Sequence, residues 1–165
     1  MSEAEPGPQF ACDAMLGGLA RWLRAAGYDA CWQEGIDDWD LVRLARRTHR
    51  VLLTSDTGIF KIGIVRDGDV PGLFIPHGLR VVDQLAFVLD RLHLPLAAPR
   101  CMGCGGTLAT VAKEEVRDQV PARSYAWAET IFRCDRCGQL FWQGTHWKKI
   151  EHQLRRVGEQ LRSSY

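Results

Sequence analysis

The sequence predicts an α/β fold, a parallel sheet flanked by helices, followed by a small four-cysteine zinc ribbon and a C-terminal helix. Three observations predict it. Short apolar runs alternate with amphipathic stretches through the first half of the chain, the pattern of βα units that build a parallel sheet. Two of those runs end in an aspartate, Asp13 and Asp56. After a Pro/Ala-rich break at residues 93–100 the composition turns to cysteine, glycine and aromatic residues, with two C-x-x-C pairs.

Phe10–Cys12 reads as a buried strand with Asp13 at its carboxyl tip. The helix expected next, Met15–Leu23, puts Leu16, Leu19, Ala20 and Leu23 on one face, and Gly27 is a plausible stop. Tyr28–Trp32 reads as a second strand, and Asp38 as the N-cap of a helix over Trp39–His49 with Leu41, Leu44 and Ala45 as its apolar stripe. Val51–Thr54 is a continuous apolar run, as a parallel strand buried on both faces requires. Residues 57–66 read as a weak helix interrupted by Gly58 and Gly63. Val70–Ile75 reads as a strand and Val81–Leu92 as an amphipathic helix. Right-handed crossovers place the strand tips on one edge, where open α/β sheets bind ligands.

In the second half, Val116–Val120, Thr130–Arg133 and Leu140–Trp142 read as strands. The helix expected over Trp147–Arg162 carries Ile150, Leu154, Val157 and Leu161 on its apolar face. The expected organisation is a disordered lead-in at 1–9, a first domain at 10–93, and a ribbon with its C-terminal helix at 100–162.

Composition narrows the function classes. The net charge of +1 gives no global basic field, so nucleic-acid binding would rest on local patches. No apolar run approaches the roughly 20 residues of a membrane span, and residues 1–9 lack the apolar core of a signal peptide. The expectation is a cytoplasmic protein with no membrane partner. In a reducing compartment, cysteine pairs read as metal ligands. Cys12 and Cys31 fall in strands and read as buried structural thiols.

Cys101 and Cys104, with Cys134 and Cys137, carry the most specific spacing. Two such knuckles can converge four thiolates on one tetrahedral Zn²⁺, with redox chemistry or a disulfide as the alternative. Gly105 and Gly138 follow the second cysteine of each pair and free the backbone to wrap around the metal. Four sulfur ligands close the sphere, which makes the site structural.

Asp13, Asp38 and Asp56 are the chemical candidates. Carboxylates gathered without compensating cations repel one another, and Mg²⁺ or Mn²⁺ would relieve that. Such an ion can activate water and stabilise phosphoryl charge. The bland alternatives are an N-cap for Asp38 and a cap for the following weak helix at Asp56.

These motifs resemble the Mut-seven C-terminal family of PIN-like RNases. D-A-M-L-G-x-L-A-R-W-L-R runs from Asp13 to Arg24, D-x-x-L-x-x-x-A from Asp38 to Ala45, and L-L-T-x-D from Leu52 to Asp56. R-C-x-x-C from Arg100, C-x-x-C-G from Cys134, and the run from Phe141 to Trp147 follow in the family's order. The resemblance implies a PIN-like domain that hydrolyses RNA with Mg²⁺ or Mn²⁺ held at Asp13, Asp38 and Asp56. Two positions depart from it: Ser55 stands where relatives often carry Arg, and Gly18 where they often carry Lys. PIN nucleases usually have a fourth acid, for which Asp37, Asp69 and Asp83 are the candidates.

Arg21, Arg24, His146, Trp147, Lys148 and Lys149 are the candidate nucleic-acid contacts. Each has a bland alternative: solvation for the arginines and lysines, packing against the ribbon for the aromatics. Arg46, Arg47 and Arg50 read as cations placed against a helix C-terminus. The expected function is a metal-dependent endoribonuclease whose zinc ribbon helps hold RNA, with the ribosome or tRNA as candidate partners. The rival is a non-catalytic RNA- or ribosome-binding protein, or a toxin-like regulator, that retains the fold.

Overall fold

The computed structural model describes residues 6–164. Strands β1 (Phe10–Cys12), β2 (Ala30–Trp32), β3 (Val51–Thr54) and β4 (Gly72–Phe74) form one parallel sheet in the order β2-β1-β3-β4. Helices α1 (Gly17–Ala25), α2 (Asp38–Thr48), α3 (Gly63–Arg66) and α4 (Val81–Arg91) cover it. The period-2 alternation of a strand explains the two faces. Phe10, Cys12 and Leu53 point into one core with Leu19 and Leu23 of α1 and Leu85 and Leu89 of α4. Ala11 and Leu52 point into the other, with Leu41, Val42 and Ala45 of α2. The register Ala11 to Leu52 and Cys12 to Leu53 keeps each set on its own side. Burying each such leucine contributes about 1.5–3 kcal/mol.

The strand order sets the function-bearing edge. The chain leaves β1 for β2 on one side, then crosses to β3 on the other. The reversal lies between the carboxyl ends of β1 and β3, the switch point at which such sheets bind ligands.

The second half is an antiparallel sheet of β5 (Leu108–Val111), β6 (Ile131–Cys134) and β7 (Leu140–Trp142). A 3₁₀ turn over Lys113–Gln119 and the short helix α5 (Ala122–Trp127) fill the β5–β6 connection. The strand expected over Val116–Val120 is therefore mostly 3₁₀ helix. Val116 and Val120 still face the ribbon core with Ala128 and Ile131, so tertiary burial overrides their β-branched preference. The helix expected to begin at Met15 starts instead at Gly17, after a 3₁₀ turn over Ala14–Leu16. Residues 59–66 form a 3₁₀ turn and α3 in place of one helix.

The last helix, α6 (Thr145–Ser163), packs against both halves. Its first turn sits on the ribbon, with the Trp147 ring stacked on Phe132 at 6.2 Å. Its later turns return to the first domain, where Val157 joins the core of α1 and α4 and Leu154 and Leu161 pack against it. Of the expected disordered lead-in, residues 1–5 lie outside the described residues. The Gln9 carbonyl accepts from the Val51 amide at 2.8 Å, so the chain just before β1 is already tied to the sheet.

A buried polar seam joins the two halves. Arg24, 6 % exposed, donates to the carbonyls of Ala30 at 2.8 Å, Met102 at 2.9 Å and Gly103 at 3.1 Å. It therefore docks the first zinc knuckle onto α1 and β2 through Nε and one terminal nitrogen. Asp29, 7 % exposed, pairs with Arg50 at 3.1 Å and with Arg136 of the second knuckle at 3.5 Å. Arg50 also donates to the Phe10 and Asp29 carbonyls. It is a buried partner of the sheet beyond the end of α2, not a cation serving that helix's dipole. Gly105 completes the seam, because at φ +84 a Cβ there would lie 2.6 Å from Asp29 Oδ1.

Burial works against the charge of Asp29, but the Arg50 and Arg136 guanidiniums overcome it and lower its pKa. A lowered native pKa adds stability above the ordinary aspartate range and loses it as pH falls through the native value. Acid unfolding of wild type should thus steepen below that range. Asp29→Asn should be less stable near neutral pH and show a shallower acid limb, read by urea midpoints across pH. Parallel stability profiles for the two proteins would contradict the assigned role.

Candidate functional site

Asp13 follows β1 and Asp56 follows β3, so the two flank the switch point. A residue between them fixes the geometry. Thr54, fully buried at the end of β3, donates its hydroxyl to Asp13 Oδ2 at 2.7 Å and accepts from the Asp56 amide at 3.0 Å. Asp13 also accepts from the Met15 amide at 3.3 Å, capping the turn that leads into α1. Asp56 accepts from the Gly58 amide at 2.7 Å, a local turn that aims its carboxylate. Ser55, one residue earlier, donates to the Ile75 carbonyl at 2.8 Å and ties this tip to β4.

Asp38 reaches the same edge from α2, in a role that differs from the expected one. The N-cap is Asp37, whose carboxylate accepts from the Asp40 amide at 2.9 Å. Asp38 is the first helical residue. Its pKa is raised by partial desolvation, then by the charges of Asp56, Asp13 and Asp37. The acids are thus close enough to repel one another. Of the candidates for a further acid, Asp37 is spent on the cap and Asp83 is paired with Arg80 at 2.7 Å. Asp69 lies in the turn before β4, at the opposite edge of the sheet.

Among the described residues, the cysteines are the one group of three or more metal-ligating side chains whose ligand atoms all lie within 4.8 Å of one another. The carboxylates are more open. That fits Mg²⁺ or Mn²⁺ held by one or two carboxylates with waters and substrate oxygens, the usual mode for a small hard cation.

The cysteine cluster fits Zn²⁺ closely. Sγ separations are 3.7 Å for Cys101–Cys137 and 3.4 Å for Cys104–Cys134. A tetrahedral ion with Zn–S near 2.3 Å sets its sulfurs about 3.8 Å apart. None of the cysteines is disulfide-bonded. The knuckle backbone is arranged for thiolates: the Gly106 amide donates to Cys104, and the Arg136 and Cys137 amides donate to Cys134. Burial works against the charge on Cys134, but these donors hold its pKa down to about 6. Burial pushes Cys101 up to about 12, so that thiol surrenders its proton when metal binds.

A cleft of about 960 Å³ separates α1 and the end of β2 from the ribbon and the start of α6. Arg21, Arg24, His146 and Trp147, four of the expected nucleic-acid contacts, line it, and Lys148 and Lys149 are exposed beside it on α6. Trp32 forms part of its wall. Its ring lies over Gly17, where a Cβ would meet it at 2.8 Å, and its Nε1 donates to the Ala14 carbonyl at 2.9 Å. Trp127, 47 % exposed, and Trp142 both face Gly144. Thr54, Trp32 and Trp127 were not singled out from sequence. Thr54 lies inside the L-L-T-x-D motif, whereas the two tryptophans carry no local signal.

The description Mut7-C RNAse domain matches residues 8–154, spanning the acidic edge, the cleft and the zinc centre. The chain belongs to the Mut7-C RNAse domain family. No curated protein and no solved structure matches it. For this Mut7-C domain the zinc centre and the first domain are mechanically joined, because Arg24 and Arg136 hold the knuckles against α1 and β2. Chelation should therefore lower the thermal stability of the whole chain, with restoration on adding Zn²⁺, measured by circular dichroism melts. Identical melts with and without a strong zinc chelator would count against a structural zinc.

Proposed function

We propose that the protein is a metal-dependent ribonuclease that hydrolyses RNA phosphodiester bonds at the carboxyl edge of the parallel sheet. The observation that carries this reading is the gathering of Asp13, Asp38 and Asp56 at the switch point, with Asp38 raised in pKa partly by its acidic neighbours. A divalent cation, when bound, supplies Lewis-acid charge for the phosphoryl oxygens and lowers the pKa of a water at that edge.

The chain's own residues divide the remaining work. Thr54 holds the Asp13 carboxylate through Oδ2, leaving Oδ1 with only the long Met15 contact. Asp13 and Asp56 are the cation's ligands from the two strand tips. Asp38 faces both from α2, where it completes the site or orients the attacking water. The ribbon's contribution is to hold RNA through the cleft, with Arg21 and the lysines of α6 meeting phosphates.

Cleavage of a labelled RNA with Mg²⁺ or Mn²⁺ should be lost in Asp13→Asn, by at least about 100-fold given the usual weight of electrostatic stabilisation. Thr54→Val keeps the shape and removes the hydroxyl. It should lower kcat with little change in KM, since it acts through the placement of Asp13. Activity surviving Asp13→Asn would sink the assignment. Salt-sensitive RNA binding with no cleavage by wild type would favour the rival, an RNA-binding protein that retains the fold.

A further inference from the structure

The distribution of exposed apolar side chains is uneven. Among the described residues, the large hydrophobic side chains that stand most exposed are Met15, Trp32, Trp39, Val81, Leu96 and Trp127. All but Leu96 border the acidic edge or the cleft. Met15 is two residues past Asp13, and Trp39 is next to Asp38. Val81 opens α4 against Gly18, and Trp32 and Trp127 line the cleft. Exposed aromatics concentrated in one place mark a binding surface.

The chemistry of the cleft narrows its occupant. Its volume lies at the upper end of the roughly 300–1,000 Å³ common for sites that enclose a small organic group. Its apolar lining includes the rings of Trp32, Trp127, Phe141 and Trp142 with Leu140 and Ile150, and its exposed polar side chains include Arg21 and His146, with Lys148 and Lys149 beside it. Trp147 donates its Nε1–H to Glu151 at 2.7 Å, which fixes its ring beside the cleft. Flat π faces flanked by cations suit an unpaired nucleobase with its phosphates, the arrangement of single-strand stacking sites. A base held in a duplex already has both faces covered and cannot enter.

We propose that the cleft between α1 and the ribbon is a nucleotide-binding subsite. It takes an unpaired base of the RNA strand on Trp127 and Trp142, displaced from the acidic edge toward the zinc centre. Arg21 meets the backbone between the two sites. Trp39, 58 % exposed beside Asp38, offers a further aromatic face at the acidic edge. The inference rests on the reading of the chain as an RNA-acting protein, but not on cleavage at Asp13.

The test is equilibrium binding by the full, zinc-loaded chain carrying Asp13→Asn, which removes cleavage from the readout. The probes are a fluorescein-labelled single-stranded RNA, the same strand annealed to its complement, and uridine monophosphate. The single strand should bind more tightly than the duplex and quench tryptophan fluorescence. Adding Trp127→Ala should weaken strand binding about tenfold, within the range for loss of one stacked base. Trp127→Phe should retain most of the affinity. Arg21→Ala should reduce the salt slope of strand binding by about 0.7, the value for one phosphate contact on a single strand. Equal affinity for strand and duplex, or unchanged strand affinity in both Trp127→Ala and Arg21→Ala, overturns the subsite. Uridine monophosphate binding as tightly as the strand would overturn it in favour of a mononucleotide site. Strand binding that depends on Trp127, found together with an inactive wild type, would leave the subsite standing and remove the nuclease reading instead.

Discussion

A buried guanidinium fixes how the two halves of this protein meet. Arg24 is buried at the boundary between the halves, where an unpaired charge would cost several kcal/mol. It escapes that cost only by donating to carbonyls on both sides of the boundary, Ala30 in the sheet and Met102 and Gly103 in the knuckle. Asp29 extends the same constraint, since its carboxylate bridges Arg50 beside the sheet and Arg136 between the second pair of cysteines. The knuckles present those groups in the right place only when four thiolates hold their shape. Metal binding, domain docking and the width of the cleft are consequently one problem rather than three.

That docking determines what the acidic edge can reach. The switch point between β1 and β3 gathers Asp13 and Asp56 by topology, and Thr54 fixes their relation with one hydroxyl that serves both tips. Asp38 arrives from α2, whose first turn is capped by Asp37. The sheet alone would offer a shallow acidic rim. With the ribbon seated, a cleft walled by α1, Trp32, the ribbon and the first turn of α6 forms between the two halves. α6 spans the whole arrangement: Trp147 stacks on the ribbon while Val157 is buried with α1 and α4.

The cysteine cluster and the carboxylate edge differ for physical reasons. The sulfurs are close together, approached by backbone amides and backed by glycines that let the knuckles turn, so they form a closed site. The carboxylates are spread along an edge and partly exposed, and no ion pair to them is found among the described residues. Such a site suits an ion that keeps waters and shares its coordination with a substrate.

The sequence by itself determined the alternating units, the strand tips at Asp13 and Asp56, the zinc ligands and the family. These are properties of short segments: periodicity, motif order and cysteine spacing survive without knowledge of what packs where. Helix starts were less legible, because Asp37 and Asp38 are equally good caps on chemistry alone and only backbone geometry chooses between them. Val116 and Val120 were misread as a strand since their spacing of four suits a buried helical turn as well. What only the tertiary structure decided is long-range. Arg24 closes the first family motif and docks the zinc knuckle through backbone carbonyls, and Arg50 pairs with Asp29. The last helix joins the first core, and the cleft assembles Trp32, Trp127 and Trp142 from segments far apart in the chain. Burial and hydrogen-bond partners decide those roles, and neither is written in the local sequence.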